Sequence, residues 1–339
     1  MIVPKNSDTK ASTTDDLTII NVDSDFKGDL EKAIAAAKSG DVVKLGRRIY
    51  DTDQIVIDKD ITIDGQQGSI INGGGTSESI FYLTADASGT TIQDVEITNG
   101  NNGIIGENAS NLTLKNLNIH NIGITESIRD GVNNTGIALS HAEGLQLLNS
   151  QIHNIGRKAV GLIDTNGGLI SDVSIYDVNL EAEHAQSHDA GGIKLFNTND
   201  ITIQDSYLSN INANYIWNDT TNGTRIENNV LEDVGEDFLA PGFNQNVDMS
   251  GISNEKSSNS TVINNQGDAY EEFLAFKATE FSTETMTLEG NIFSAYELGT
   301  TDYWVNESAE KLVALTEDPD SANYSLFADD YIAQANIGN

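Results

Sequence analysis

The densest concentration of reactive side chains in this sequence surrounds one lysine. Glu181, Glu183, His184, His188 and Asp189 precede Lys194, and Tyr215 and Trp217 follow it. Together these types suit removal of a proton beside a carboxylate. That chemistry needs a base, a cation to neutralise the carboxylate and an acid for the departing oxygen. Lys194 is the first candidate base, since burial and nearby cations make a lysine amine easier to deprotonate. Tyr215, His184 and His188 are alternatives for base or acid, and Arg157 and Lys158 are candidates to neutralise the carboxylate. Glu181, Glu183 and Asp189 are expected to hold Ca²⁺, a hard cation suited to clustered carboxylates. A solvated acidic loop accounts for the same run without a metal. Trp217, Phe196, Asp219 and Arg129 complete the set as substrate contacts, because aromatic rings offer stacking faces to sugars.

Composition narrows the classes further. The chain has 339 residues, 18 Lys+Arg against 52 Asp+Glu, a formal charge of −34 and no cysteine. Thiolate nucleophiles, zinc–thiolate sites, iron–sulfur clusters and disulfides are therefore excluded. No apolar stretch is long enough to span a membrane, and the acidic field opposes nucleic acid as a partner. No motif for an organic cofactor is present, and a monomer is expected. Residues 1–16 show no signal-peptide pattern, while strong acidity without cysteine suits an extracellular, calcium-rich or saline setting. Between residues 60 and 255 the only basic side chains are Lys115, Arg129, Arg157, Lys158, Lys194 and Arg225. Four of these six map to one edge, the one that carries Lys194, which predicts a local cationic spot on an anionic protein.

A repeat must position these groups. Ile92, Leu114, Leu147, Ile170, Ile203, Ile226, Ile263 and Leu288 align, each followed two residues later by Asp94, Asn116, Asn149, Asp172, Asp205, Asn228 and Asn265 in the first seven. The spacings are 22, 33, 23, 33, 23, 37 and 25. Apolar residues two apart within each unit indicate strand, and a recurring Asn/Asp indicates a left-handed turn repeated in register. The fold expected is all-β, a single-stranded right-handed parallel β-helix with an N-terminal capping helix. Residues 1–25 read as a polar segment, 26–293 as the β-helix including a cap helix at 29–38, and 294–339 as a C-terminal cap with a helix at Ser308–Glu317. Ten residues before each aligned apolar position lies a second strand, carrying Ile105, Ala138, Gly161, Lys194 and Trp217 outward. Gly103, Gly136, Ala159, Gly192 and Tyr215 are expected to flank them as a groove floor and wall. The longer units place their insertions, Ile124–Gly136, Leu180–Gly192 and Val234–Gly251, just before this strand. His120 and His153 occupy equivalent positions and are expected to stack.

The chain resembles the right-handed parallel β-helix superfamily, which includes pectate lyases, chondroitinase B-like lyases and polysaccharide epimerases. The resemblance rests on Leu30-Glu-Lys-Ala-Ile34 through Gly40-Asp41, on Ile61-Thr-Ile-Asp-Gly65 and on the repeats, over roughly residues 26–293. It implies a lyase or C5-epimerase acting on an acidic, uronate-containing polysaccharide. A non-catalytic carbohydrate-binding or adhesive β-helix is the alternative. Glu181-Ala182-Glu183 and Lys194 resemble the Glu-x-Glu calcium pair and catalytic lysine of chondroitinase B-like lyases. Two departures stand out: the Glu-to-Lys gap is longer, and Tyr215 and Trp217 occupy the next repeat where an arginine would be expected. No Arg-x-Pro-x-x-Arg of pectate lyases occurs, nor the polygalacturonase motifs.

Overall fold

The computed structural model describes residues 17–75, 78–124, 134–179, 190–234, 250–255, 257–269, 272–277, 286–295 and 323–326. Apolar residues alternating along short runs, each bounded by Asn, Asp or Gly, close into coils of three strands. The coils stack into two sheets of eleven strands and one of nine, almost entirely parallel. Successive strands of a coil pass from the first sheet (Thr113–Lys115, for example) to the second (Asn118–Ile122) and the third (Thr135–Ser140). Inward positions form columns, such as Ile104, Ile137, Val160, Ile193, Ile216 and Ile252, all buried. Each such aliphatic side chain contributes about 1.5–3 kcal/mol on burial.

The turn between the first and second sheets carries the expected ladder. Asp94, Asn116, Asn149, Asp172, Asp205 and Asn228 all have φ between 47° and 57°, a backbone region that Asn and Asp tolerate best among residues with a side chain. Asn116 donates to Asp94 Oδ1 at 2.9 Å. The last member is Asn264, with φ 52°, and not Asn265. Ile226 pairs with Val262, and Val262 with Leu288, so the alignment through Ile263 was one residue late. Asn265 points inward instead. It is buried within a second ladder in which the backbone N–H of Asn229 donates to Asn265 Oδ1 and that of Asn265 to Asn291 Oδ1, both at 3.0 Å.

This inward ladder belongs to a wider change along the axis. One interior column reads Leu139, Leu162, Leu195, Asn218 and Asn254; another reads Val95, Leu117, Ser150, Val173, Ser206, Asn229, Asn265 and Asn291. The interior is aliphatic in the early coils and increasingly amide- and hydroxyl-lined in the later ones.

The N-terminal end is closed by the helix Leu30–Ala36, where Asp29 caps by accepting from the Lys32 N–H. Leu30, Ala33 and Ile34 face the coil. A strand at Ile19–Asn21 precedes the helix and pairs with Val42–Lys44, so the first sheet begins within the segment read as polar. The expected helix at Ser308–Glu317 lies outside the described residues. A short strand, Asn323–Leu326, pairs antiparallel with Asn291–Ala295. His120, His153 and Tyr176 stack on the outer face of the second sheet with ring centroids 5.1 and 4.6 Å apart, extending the expected histidine pair by one ring.

Candidate functional site

The third sheet presents its outer face through two columns. One runs Ile105, Ala138, Gly161, Lys194, Trp217 and Ser253; the other runs Glu107, Ser140, Ile163, Phe196, Asp219 and Glu255. At the centre of this face lies a cavity of about 230 Å³ lined by Lys158, Gly161, Ile163, Lys194, Phe196 and Asp219. Four of the residues singled out in the sequence thus meet in one place.

The strand Lys158–Ile163 explains how Lys158 arrives there. Two consecutive residues, Ala159 and Val160, are both buried, because the chain turns the corner between the second and third sheets at this point. Lys158 therefore reaches the same cavity as Gly161 although they stand three residues apart, a spacing that strict alternation would put on opposite faces. Its side chain folds across Gly161, where a Cβ would stand 3.6 Å from Cδ and 3.7 Å from Nζ. Lys158 is only 5% exposed. On the next strand Lys194 places Nζ 3.6 Å from the centroid of the Trp217 ring, a cation–π contact that fixes the ammonium and occupies one face of the indole. Ile163 and Phe196, adjacent across the ladder, are 39% and 41% exposed and form an apolar ridge beside the two lysines. Asp219, joined by the Thr220 hydroxyl at 2.9 Å, supplies the carboxylate.

The same corner overturns part of the expected groove. Gly103, Gly136, Ala159, Gly192 and Tyr215 do not flank the outward column; they are the extra inward residues of the bend. A Cβ at Gly192 would meet Tyr215 O at 2.5 Å and Ile211 Cδ1 at 2.9 Å, which is why glycine stands there. Tyr215 itself is fully buried, its hydroxyl donating to Glu232 O at 2.8 Å and accepting from the Ile211 N–H at 3.3 Å. It cannot serve as base or acid on the outer face. Burial and these two bonds give it a structural role. Arg157 sits at the corner and is not among the residues lining the cavity. Arg129, Glu181, Glu183, His184, His188 and Asp189 lie outside the described residues. Among the described residues no group of three His, Asp or Glu side chains converges to hold a metal.

Ser253 escaped the sequence reading. It follows Trp217 in the outward column, is fully buried, and its Oγ, like Trp217 Nε1, has no hydrogen-bond partner among the described residues. Counting ten residues back from Val262 rather than Ile263 would have placed Ile252 inward and Ser253 outward.

A three-sheet parallel coil with a cationic cavity on one face defines a class, the right-handed single-stranded parallel β-helices. The chain belongs to the family described as "right handed beta helix region", which matches residues 85–293. No curated protein matches it by sequence. Similar solved structures include an alginate lyase from Paenibacillus sp. str. FPU-7, with TM-score 0.52 and 15% identity over 82% of this chain and 95% of that one. A pectate lyase gives TM-score 0.52 and 15% identity over 89% and 83%. The A-module of a mannuronan C-5 epimerase from Azotobacter vinelandii gives 0.51 and 12% over 78% and 82%. At these identities the likeness is one of fold. No helix among the described residues is long and apolar enough to cross a membrane.

Proposed function

We propose that the protein is a carbohydrate-active enzyme, a lyase or C5-epimerase of an acidic, uronate-containing polysaccharide, working outside the cell. One observation carries this reading: two lysines and one aspartate line a cavity beside an exposed apolar ridge, on a chain whose charge is −34. The names of the similar structures, two polysaccharide lyases and a mannuronan epimerase, support it.

In this reading the uronate ring lies on the Ile163–Phe196 ridge with its carboxylate toward Lys158, whose buried ammonium offsets the charge that builds up when the adjacent C–H bond breaks. Lys194 takes that proton, and the Trp217 ring facing its Nζ stabilises the charge that the amine gains in the transfer. For elimination, the electron pair forms a C4–C5 double bond and the C4–O bond breaks, the leaving oxygen taking a proton from an acid. With Tyr215 buried, His184 and His188 are the candidates for that acid. For epimerisation the carbon is reprotonated on its opposite face and no bond to C4 breaks.

The test is a screen of alginate and polygalacturonate, read by ultraviolet absorbance for unsaturated product and by NMR for epimerised residues. Lys194→Ala is expected to lower turnover by about 10²–10⁴, the range for losing a general base, with unchanged melting. A Lys194→Ala variant with full turnover would remove the base role from this residue. Binding without turnover on either polymer would favour the non-catalytic carbohydrate-binding alternative.

A further inference from the structure

A second cavity, of about 300 Å³, opens at the edge where the second sheet turns into the third. It is lined by Asn72, Asn99 and Asn121 with Gly74, Gly75 and Ile124, and none of its described lining residues is charged. The three asparagines stand at or near the ends of successive second-sheet strands, Ile70–Asn72, Glu96–Gly100 and Asn118–Ile122. Their amides are thus stacked one coil apart. Asn99 and Asn121 adopt φ of 60° and 55°, so the backbone bend fixes where their side chains point.

The amide stack is interrupted within this cavity. Asn99 Nδ2 donates to Asn72 Oδ1 at 2.8 Å, and the Gly75 N–H to Asn99 O at 2.7 Å. Asn121 Nδ2 then reaches Thr98 Oγ1, at 3.4 Å, rather than Asn99 Oδ1. Asn99 is exposed, and its Oδ1 accepts no hydrogen bond among the described residues. Amide groups that both donate and accept, on a rigid turn and without charge, suit the hydroxyl edge of a sugar ring better than a carboxylate or a cation.

Position relates this cavity to the first. Ile104, in the coil of Asn99, is three ladder steps from Ile193, through Ile137 and Val160. At about 4.8 Å per step the separation along the axis is on the order of 14 Å. In the outward column, the two coils between them carry the small residues Ala138 and Gly161.

We propose that this cavity is a distal, uncharged subsite that grips the hydroxyls of a sugar unit several rings away from Lys194, so that the protein selects long chains over short ones. The inference rests on the proposed action on a polysaccharide. Asn99→Gly removes the amide while keeping a residue at home in the left-handed region, and Asn99→Asp keeps the shape while adding charge.

Calorimetric titration of mannuronate trimer and octamer into wild type and both variants, with melting as the folding control, tests it. For the octamer, Asn99→Gly should weaken binding about 3–10-fold, the net worth of one amide hydrogen bond, and Asn99→Asp at least as much. Trimer binding should not change. Equal effects on trimer and octamer, or none on the octamer, would overturn the proposal. Neutral glucan octamers in the same titration separate its failure from that of the uronate reading. A neutral octamer that binds wild type and is weakened by Asn99→Gly upholds the subsite while rejecting the uronate, and an absence of binding by octamers of either kind overturns both.

Discussion

Replacing Gly161 by alanine should make the protein more stable and less active. Gly161 occupies the outward column between Ala138 and Lys194. A Cβ there would stand 3.6 Å from Lys158 Cδ and 3.7 Å from Cε and Nζ, ordinary van der Waals distances, so the folded state admits the methyl group. Glycine also has more freedom to lose on folding than alanine, and at a compatible site the exchange stabilises by about 0.4–1 kcal/mol. The corresponding rise in Tm is roughly 1–4 °C. Activity moves the other way, because the methyl lies against the Lys158 chain on the cavity floor. Lys158 need not move, but a substrate resting on that floor is lifted by the methyl, and a misplacement on the order of 1 Å can cost about 10² in rate. Gly161→Leu should fill the cavity and abolish turnover while the protein still melts cooperatively. Calorimetry and initial rates on whichever uronate polymer proves to be the substrate provide the readouts. An alanine variant that melts lower than wild type would contradict the placement of Lys158, and a leucine variant with unchanged kcat/KM would show that substrate does not react in this cavity.

Further outcomes follow from other parts of the molecule. Asn265→Ala orphans the buried Asn229 N–H and deletes the bonds from Asn265 Nδ2 to Ile226 O and Asn291 Oδ1, so denaturant titration should show a loss of about 3–5 kcal/mol. A loss below about 1 kcal/mol would mean that this ladder is not a dry, fully bonded interior. Trp217→Ala should lower turnover about 5–30-fold, matching a partly desolvated cation–π contact of about 1–2 kcal/mol, and Trp217→Phe should recover much of it. In the stack on the second sheet, burial holds the His153 imidazole below its ordinary pKa of 6.5, with the His120 ring beside it acting in the same direction. The unfolded chain then binds the extra proton more readily, so this contribution to stability is complete above pH about 6.5 and declines as the pH falls below it. His153→Phe should make the fall of Tm from about pH 7.5 to 5 shallower, and an unchanged slope would assign that fall to other groups.

Much of the architecture was legible because a solenoid repeats its own evidence. Ile92, Leu114, Leu147, Ile170, Ile203 and Ile226 form one hydrogen-bonded column as aligned, and the six Asn and Asp residues after them share one backbone conformation. Where Asn264 and Asn265 stand side by side, residue type alone does not distinguish the turn position from the interior one, and the alignment slipped. The site was legible in part. Lys158, Lys194, Phe196 and Asp219 do meet, but strict alternation placed Tyr215 outside. Alternation fails at a corner because the bend turns two successive residues inward, and nothing in the local composition of Ala213-Asn-Tyr-Ile216 announces the bend. Lys158 was linked to the site by charge, while its passage across Gly161 shows only once the strands are paired.

The change from aliphatic to amide-lined interior also bears on how a coil finds its place. Stacked isoleucines and leucines are interchangeable, so a chain threaded one coil out of step would still bury the same surface in the early coils. Asn229, Asn265 and Asn291 do not allow that substitution, since the backbone N–H groups of Ser206, Asn229 and Asn265 take their acceptors from these amides, each one coil on. Misthreading by one coil would set a buried N–H against a leucine or valine and leave it without an acceptor, at a cost of about 1–3 kcal/mol for each such group. As with a lone asparagine in an otherwise apolar coiled coil, these residues specify alignment by what they penalise. The later coils thereby count the turns of the helix, and the register they enforce holds Trp217 and Ser253 in line with Lys194.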